Sequence, residues 1–175
     1  PAPNYYIGAA GAFTPLKQST DGGLRHGGNA NALGKKKFLR KLMALTPTAT
    51  AAPLSCKLLD YIGFYPFIDE SVTDEQFLDN TQSPTRYTDG KGVMLMPVTV
   101  AGHTGGQTFT VNYTNSDGVA GRITQAATMS TQFVNGTILC SQQVGAAYVN
   151  NGPFLSLQRG ATRVQSVQSV TIGGI

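Results

Sequence analysis

The side chains that could do chemistry are few, and the densest group of them is acidic. Five carboxylates fall close together, at Asp69, Glu70, Asp74, Glu75 and Asp79. Such a group could bind calcium, but the alternating oxygen ligands and the mid-loop glycine of an EF-hand are absent here. The spacing therefore favours an acidic surface connection, with a short turn of helix over 75–78.

The histidines and cysteines also stand apart from one another. His26 lies in a glycine-rich segment and His103 in a predicted hairpin loop, so we interpret both as solvated or loop-capping side chains. Cys56 and Cys140 are the only cysteines, and their positions in or beside predicted strands indicate reduced, buried thiols rather than a disulfide. Reduced thiols in turn favour synthesis in a cytoplasm.

Known catalytic and cofactor motifs are missing from the sequence. It contains no glycine-rich phosphate loop, no Cys/His metal spacing and no Gly-x-Ser-x-Gly nucleophile elbow. An enzyme needs titratable groups that converge, and none of the spacings suggests convergence. The sequence therefore predicts a protein that is not an enzyme and has no cofactor, no metal and no catalytic residues.

Charge divides the 175 residues into two parts. The whole chain carries a formal net charge of +4, and only 13% of its residues are charged. Residues 1–54 hold seven basic residues against one acidic residue, whereas 55–175 hold six basic residues against eight acidic ones. This asymmetry predicts an extended basic N-terminal arm over 1–54 and a mildly acidic body over 55–175.

The arm is rich in Pro, Ala, Gly, Thr and Asn and shows no sustained periodicity. It cannot bury enough apolar surface to offset its backbone entropy, so it should fold only against something else. Within it, 35–45 predicts a short basic amphipathic helix, because Phe38, Leu42 and Leu45 share one helical face. We predict that the arm makes protein contacts through Tyr5, Tyr6, Phe13, Lys35, Lys36, Lys37, Phe38, Leu39, Arg40, Lys41, Leu42 and Met43.

The same basic run could instead bind phosphate groups of nucleic acid. Single-strand binding surfaces interleave aromatic and basic residues, and here only Phe38 supplies a ring. The sequence therefore favours protein partners over nucleic acid. Because no apolar run approaches the roughly 18 residues of a membrane span, it also predicts no membrane association.

The body has the pattern of an all-β domain. Phe109, Val111 and Tyr113 alternate with polar residues, which is typical of a strand with one buried face. This strand, 107–115, is predicted to lie in a meander with 93–101 and 119–130. Pro97 places the first of these at an edge or at a bulge.

Further strands are predicted on both sides of the meander. The run 55–68 is apolar on both faces, as in a central strand, and Asn135-Gly136 predicts a hairpin between 128–134 and 137–142. Short strands follow at 148–149, 154–158 and 161–172. In the last of them valines recur at every third position, which a β-bulge or burial on both sides would explain. Seven or eight short strands without helices between them predict a β-sandwich or jelly-roll-like body.

Several stretches of the body also resemble the auxiliary capsid proteins of tailed bacteriophages, the decoration or cement proteins of the assembled head. They are 59–69, 86–93, 109–115 with 118–122, and 160–167, and the resemblance spans about two thirds of the chain. It implies a virion protein on the capsid surface that forms homotrimers or other clusters and binds the major capsid protein. The resemblance implies no catalytic residues.

Two other functions are compatible with the same residues. A glycan-binding module or fibre head would also have a β-sandwich with neutral polar loops, although the chain contains no Trp to form a sugar platform. A protein of the head interior or connector would use the basic arm on packaged DNA. We expect the structural capsid role.

Overall fold

The computed structural model describes residues 8–16, 38, 40–43, 47, 58–79, 81, 84, 86–102, 105–129, 153–161 and 163–173. The described residues contain seven strands and no helix: β1 (Thr14–Pro15), β2 (Gly63–Phe64), β3 (Gln76–Phe77), β4 (Thr108–Asn115), β5 (Arg122–Ile123), β6 (Ala127–Thr128) and β7 (Val164–Ile172). Strands β1 and β2 form a two-stranded antiparallel sheet. The larger sheet has the order β3-β7-β4-β5, and β6 pairs with β4 beside β5. The predicted β-rich class is therefore confirmed, with two antiparallel sheets.

Strand β4 forms the centre of the larger sheet, and its side chains alternate as the sequence predicts. Phe109, Val111 and Tyr113 are buried, and the threonines and Asn112 between them are only partly exposed. The polar residues lie on the other face of the sheet, because successive side chains of a strand point in opposite directions. Thus β4 divides the molecule into an apolar side and a polar side.

Strand β7 pairs with β4 along its whole length, but with two shifts of register. Ser169 lies opposite Asn112, Val167 opposite Tyr113, and Val164 opposite Asn115. Each shift adds one residue to β7, as a β-bulge does. The bulges explain the three-residue spacing of the valines, since each extra residue returns the next valine to the buried face.

The second bulge is covered by Gly90. A Cβ atom at this position would lie 2.6 Å from the carbonyl oxygen of Val164 and 2.8 Å from the Cα of Gln165. The backbone of Gly90 also has a φ of 72°, which favours glycine over any residue with a side chain. Val93 then accepts a hydrogen bond at its carbonyl from the N–H of Val164 at 3.1 Å. The loop over 86–93 is thereby fixed against the end of β7.

Strands β5 and β6 are two parts of one interrupted strand on the other side of β4. Ile123 lies opposite Asn112 and Ala127 opposite Phe109, so the interrupted strand contains one residue more than β4 over this interval. At the interruption the N–H of Val111 donates to the Thr124 hydroxyl at 3.0 Å. The predicted strand over 119–130 therefore exists as two short pieces, with a side chain replacing one ladder bond between them.

The apolar side of the sheet carries the core. One cluster of buried residues comprises Leu78, Phe109, Val111, Tyr113, Ala127, Met129, Leu155, Val164, Val167, Val170 and Ile172. Tyr113 is fully buried, and its hydroxyl accepts a hydrogen bond from the N–H of Gln158 at 3.1 Å. Residues of β4 and β7 supply more than half of this cluster, so the pairing of these two strands is the main source of packing.

Residues 8–16 lie against the body. The N–H of Asp79 donates to the carbonyl of Gly11 at 2.7 Å, beyond the end of β3. The Phe13 ring packs on Gly63, and its centroid lies 5.4 Å from that of Tyr65. Leu16 is buried. This part of the predicted arm therefore contacts its own chain, while the proposed division at residue 54 and contacts to other chains stay predictions.

Several predicted elements differ from the structure. In the described part of the predicted central strand 55–68 only β2 is a strand, and it pairs with β1 in the small sheet. Residues 93–101 pair with β4 at no point, because β7 occupies that edge of β4 instead. Residues 154–158 form no strand, although the N–H of Leu155 donates to the carbonyl of Leu95 at 2.9 Å. The helical turn over 75–78 is wrong, since β3 lies there and pairs with β7. A turn of helix makes few bonds of its own, and the sheet supplies better ones.

Other predictions fall partly or wholly beyond the described residues. The hairpin around Asn135-Gly136, the strand at 148–149 and both cysteines lie outside them, as do both histidines. In the predicted helix over 35–45, Phe38 and residues 40–43 are described, and they are not helical. Their side chains are exposed, so no packing stabilises a helix at these positions.

Candidate docking groove

A cavity of about 980 Å³ lies on the apolar side of the larger sheet. Its floor consists of core side chains from the two paired strands, among them Phe109 and Val111 of β4 and Val170 and Ile172 of β7. Segments 58–70 and 91–102 form its walls. A surface of this composition excludes water from its base and favours an apolar occupant. We name it the docking groove.

The rim of the docking groove is apolar and exposed. Four side chains of the rim keep between 38% and 56% of their surface accessible: Leu58, Phe67, Tyr87 and Met94. Single exposed apolar residues are common on protein surfaces, but several around one cavity indicate an interaction site. The rim therefore extends the apolar floor of the groove out to the molecular surface.

Two of the rim residues have a strained backbone. Phe67 has a φ of 60° and Tyr87 a φ of 58°, values that bulky side chains rarely adopt. Neither residue is buried, since Phe67 keeps 42% of its surface exposed and Tyr87 keeps 52%. Strain of this kind persists where the surrounding structure imposes it, and it concentrates at binding sites. The structure thus holds two aromatic rings at the rim against the preference of the backbone.

The walls carry more negative than positive charge. Asp60, Asp69 and Glu70 line the docking groove, and Lys91 is the one basic residue among its described lining residues. Lys91 forms an ion pair with Asp89 at 2.9 Å. The groove should therefore favour an occupant that is apolar and basic.

Local hydrogen bonds fix two of the acidic side chains. Asp60 forms a two-point ion pair with Arg86, at 2.7 Å and 3.2 Å. Asp69 accepts from the Ser71 hydroxyl at 2.7 Å and from the Ser71 N–H at 2.9 Å. Hydrogen bonds from Ser71, first that of its hydroxyl and second that of its N–H in order of effect, lower the pKa of the Asp69 carboxyl below its usual value. Asp69 is therefore an anion at neutral and mildly acidic pH.

One polar group of the groove is buried. Thr99 is 4% exposed and lines the cavity, and its hydroxyl has no hydrogen-bond partner among the described residues. A buried hydroxyl without a partner costs free energy. Thr99 is therefore a buried polar group in the lining of the groove.

Of the predicted contact residues that the structure describes, Phe13 lines the docking groove and the others do not. Phe38, Arg40, Lys41, Leu42 and Met43 are exposed, and we name them the arm patch. Tyr5, Tyr6, Lys35, Lys36, Lys37 and Leu39 lie outside the described residues. Sequence reasoning missed the rim residues. The apolar run over 55–68 was the available signal, but it predicted a buried central strand rather than an exposed edge.

Within the described part of the chain there is neither a metal-binding cluster nor a membrane-spanning helix. The described residues contain no group of three or more His, Cys, Asp or Glu side chains placed to hold a metal ion. Within the same residues no helix is long and apolar enough to cross a membrane. Comparison with known proteins finds no matching family model, no matching curated protein and no matching solved structure.

Proposed function

We propose that the chain is a structural virion protein, a decoration or cement protein that stabilises a bacteriophage head. In this role it binds the major capsid protein and other copies of itself, most simply as a homotrimer on the capsid surface. It acts without a cofactor and without catalysis. The observation that carries the proposal is the combination of an exposed apolar groove rim with an exposed, basic and apolar arm patch in one chain.

The composition of the surface supports an assembly role. Only 13% of the residues are charged, and surfaces that partner subunits cover carry few charges at their centres. The arm patch has two cations beside apolar side chains of which 48% to 79% is exposed. An isolated soluble domain gains nothing from such exposure, whereas a subunit of a shell buries it on assembly.

The finer architecture forms part of the proposal. A β-sandwich needs a second layer over the apolar side of the larger sheet. Here the two-stranded sheet of β1 and β2 and the segments 58–70 and 91–102 lie on that side, around the docking groove. We therefore propose a sandwich-like or jelly-roll-like body with an arm that reaches other subunits.

A salt titration on capsids tests whether the arm patch binds protein or DNA. If apolar contacts dominate, retention on phage heads falls only modestly between about 50 and 500 mM salt, since exposed ion pairs contribute about 0.2–1 kcal/mol each. If the five basic residues of 35–41 bind duplex DNA, the logarithm of the affinity falls with a slope near −4.5 against the logarithm of salt concentration. A steep slope together with nanomolar DNA binding would overturn the capsid role in favour of packaged DNA.

A glycan-binding role has one specific observation in its favour. On the polar face of the larger sheet, Phe77 lies opposite Ser169, which in turn lies opposite Asn112. The Phe77 ring is 76% exposed. The Ser169 hydroxyl donates to the Glu75 carboxylate. Ser169 is buried, so the groups that a sugar could reach here are the exposed Phe77 ring and the exposed Glu75 carboxylate, which can stack on a sugar and hydrogen-bond to it.

Glycan binding can be tested separately from assembly. Wild-type protein and Phe77→Ala are applied to an array of bacterial surface glycans. Binding that Phe77→Ala abolishes would favour this second role, and the absence of any glycan signal from wild type would exclude it for the glycans tested. Ile123→Ala is the control, because Ile123 is an exposed apolar residue of the same face, opposite Asn112.

A further inference from the structure

We infer that the docking groove of one copy binds the arm patch of a second copy. The inference deepens the proposed function, on which it rests for the biological role of self-association. The docking groove is the acceptor surface, and the arm patch supplies the donor residues. Two copies related in this way meet head to tail, with different surfaces of each in contact.

One chain contains both halves of an apolar interface and leaves both exposed. The rim residues of the docking groove keep 38% to 56% of their surface accessible, and Phe38, Leu42 and Met43 keep 48% to 79%. In a single copy, therefore, the arm patch is not buried in its own groove. In a solution of the protein, a second copy supplies the complementary surface.

The arm patch and the docking groove have complementary charges. The arm patch carries Arg40 and Lys41, and three more lysines precede it in the sequence at 35–37. The described lining residues of the docking groove carry three carboxylates and one ammonium group. Electrostatic complementarity of this kind orients partners and suppresses the alternative contact of arm patch with arm patch.

The strained aromatic residues also support this contact. Phe67 and Tyr87 adopt positive φ while 42% and 52% of their surface stays exposed, so packing within one copy covers only part of each residue. Aromatic residues are enriched at the centres of interfaces, where they supply much of the binding energy. An occupant that covers both rings gives them a role that the single copy lacks.

The head-to-tail direction also accounts for a closed assembly. Contacts between unlike surfaces form rings when the rotation closes and filaments when it does not. In a three-membered ring each arm patch fills the groove of the next copy, and no groove or patch is left exposed. The contact is therefore compatible with the proposed homotrimer.

A mixing experiment with two variants tests the inference. The donor-deficient variant, Phe38→Ser with Leu42→Ser, keeps the groove. The acceptor-deficient variant, Phe67→Asn with Tyr87→Asn, keeps the arm patch, and Asn tolerates the positive φ at both positions. Each variant alone should self-associate at least about 100-fold more weakly than wild type in native mass spectrometry at micromolar concentration. Circular dichroism first confirms that both are folded.

The mixture of the two variants is decisive. The inference predicts a one-to-one heterodimer, because one intact arm patch meets one intact groove, and predicts no larger ring. A mixture that stays monomeric while wild type oligomerises would overturn it, and so would a monomeric wild type or either variant that assembles alone like wild type. Sedimentation with phage heads is measured in parallel. Self-association of wild type without binding of wild type to heads would support this contact and contradict the capsid role.

Discussion

Val167 of β7 lies opposite Tyr113 of β4, whereas the register of the preceding pair, Ser169 with Asn112, would place Gln168 there. The extra residue turns Val167 toward the core, where it is 4% exposed. A shift of one residue exchanges the two faces of a strand. The bulges of β7 therefore decide which of its side chains form the floor of the docking groove.

The Gly90 contact should be essential for the second bulge. We expect Gly90→Ala to lower the free energy of unfolding by about 1–3 kcal/mol, because a methyl group would meet the backbone of β7 and the positive φ would be strained. Gly92→Ala is the matched control. Its φ is 80°, but nothing lies within 4 Å of its added Cβ. Urea unfolding of the two variants separates the clash from the strain, and equal losses would contradict the contact.

The buried tyrosines should make the fold sensitive to alkaline pH. Burial raises the pKa of the Tyr113 hydroxyl, and burial raises that of Tyr65 as well. A tyrosine whose pKa is higher in the folded state than its unfolded value of about 10 contributes its full stabilisation below pH 10. This contribution is lost as the pH rises through the folded-state pKa. We expect the unfolding free energy to fall above pH 10, and to fall less steeply in Tyr65→Phe. An unchanged slope in this variant would contradict the assignment.

The Tyr113 hydroxyl has a second, pH-independent role. Tyr113→Phe removes the hydrogen bond between the Tyr113 hydroxyl and the N–H of Gln158, so we expect a loss of about 0.5–1.5 kcal/mol at neutral pH. Tyr87→Phe, at an exposed ring, is the control and should change stability by less than about 0.5 kcal/mol. Denaturant unfolding measures both. A neutral Tyr113→Phe would show that another group satisfies the Gln158 N–H.

Strain at the groove rim should be visible in stability alone. Phe67→Asn and Tyr87→Asn replace bulky residues at positive φ with one that tolerates it, so we expect each to leave the unfolding free energy unchanged or to raise it by up to about 1 kcal/mol. Phe67→Ala removes the same ring and keeps the strain. Thermal unfolding of monomeric samples compares the three variants. A clear loss in the Asn variants, equal to the loss in Phe67→Ala, would mean that the rings stabilise the single copy.

The sequence predicts local features of this fold better than distant ones. The alternation in β4 is a property of eight consecutive residues, so it predicts the strand and its buried face correctly. The valine spacing in β7 likewise indicates a bulge. The pairing of β4 with β7 joins segments about 50 residues apart, and no local pattern encodes it. Adjacent strands were expected to pair instead, which misplaced 93–101.

The docking groove was less predictable than the sheet. Its floor follows from the buried residues of β4 and β7, but its rim combines Leu58, Phe67, Tyr87 and Met94 from separate segments. Their exposure depends on how those segments pack, and the left-handed backbone of Phe67 and Tyr87 has no signature in residues that rarely adopt it. The arm patch was predictable, because its exposed apolar and basic residues are adjacent in the sequence.

Sedimentation with phage heads tests the central claim most directly. Purified protein is mixed with heads that lack it, and the bound fraction is measured for wild type, for Phe38→Ala with Leu42→Ala, and for Lys35→Gln with Lys36→Gln and Lys37→Gln. We expect saturable binding of wild type, with a larger loss in the apolar variant than in the charge variant, because the arm patch holds together the oligomer that binds the head and burial of each large apolar side chain contributes about 1.5–3 kcal/mol. Wild-type protein that stays in the supernatant at every concentration would contradict the capsid role.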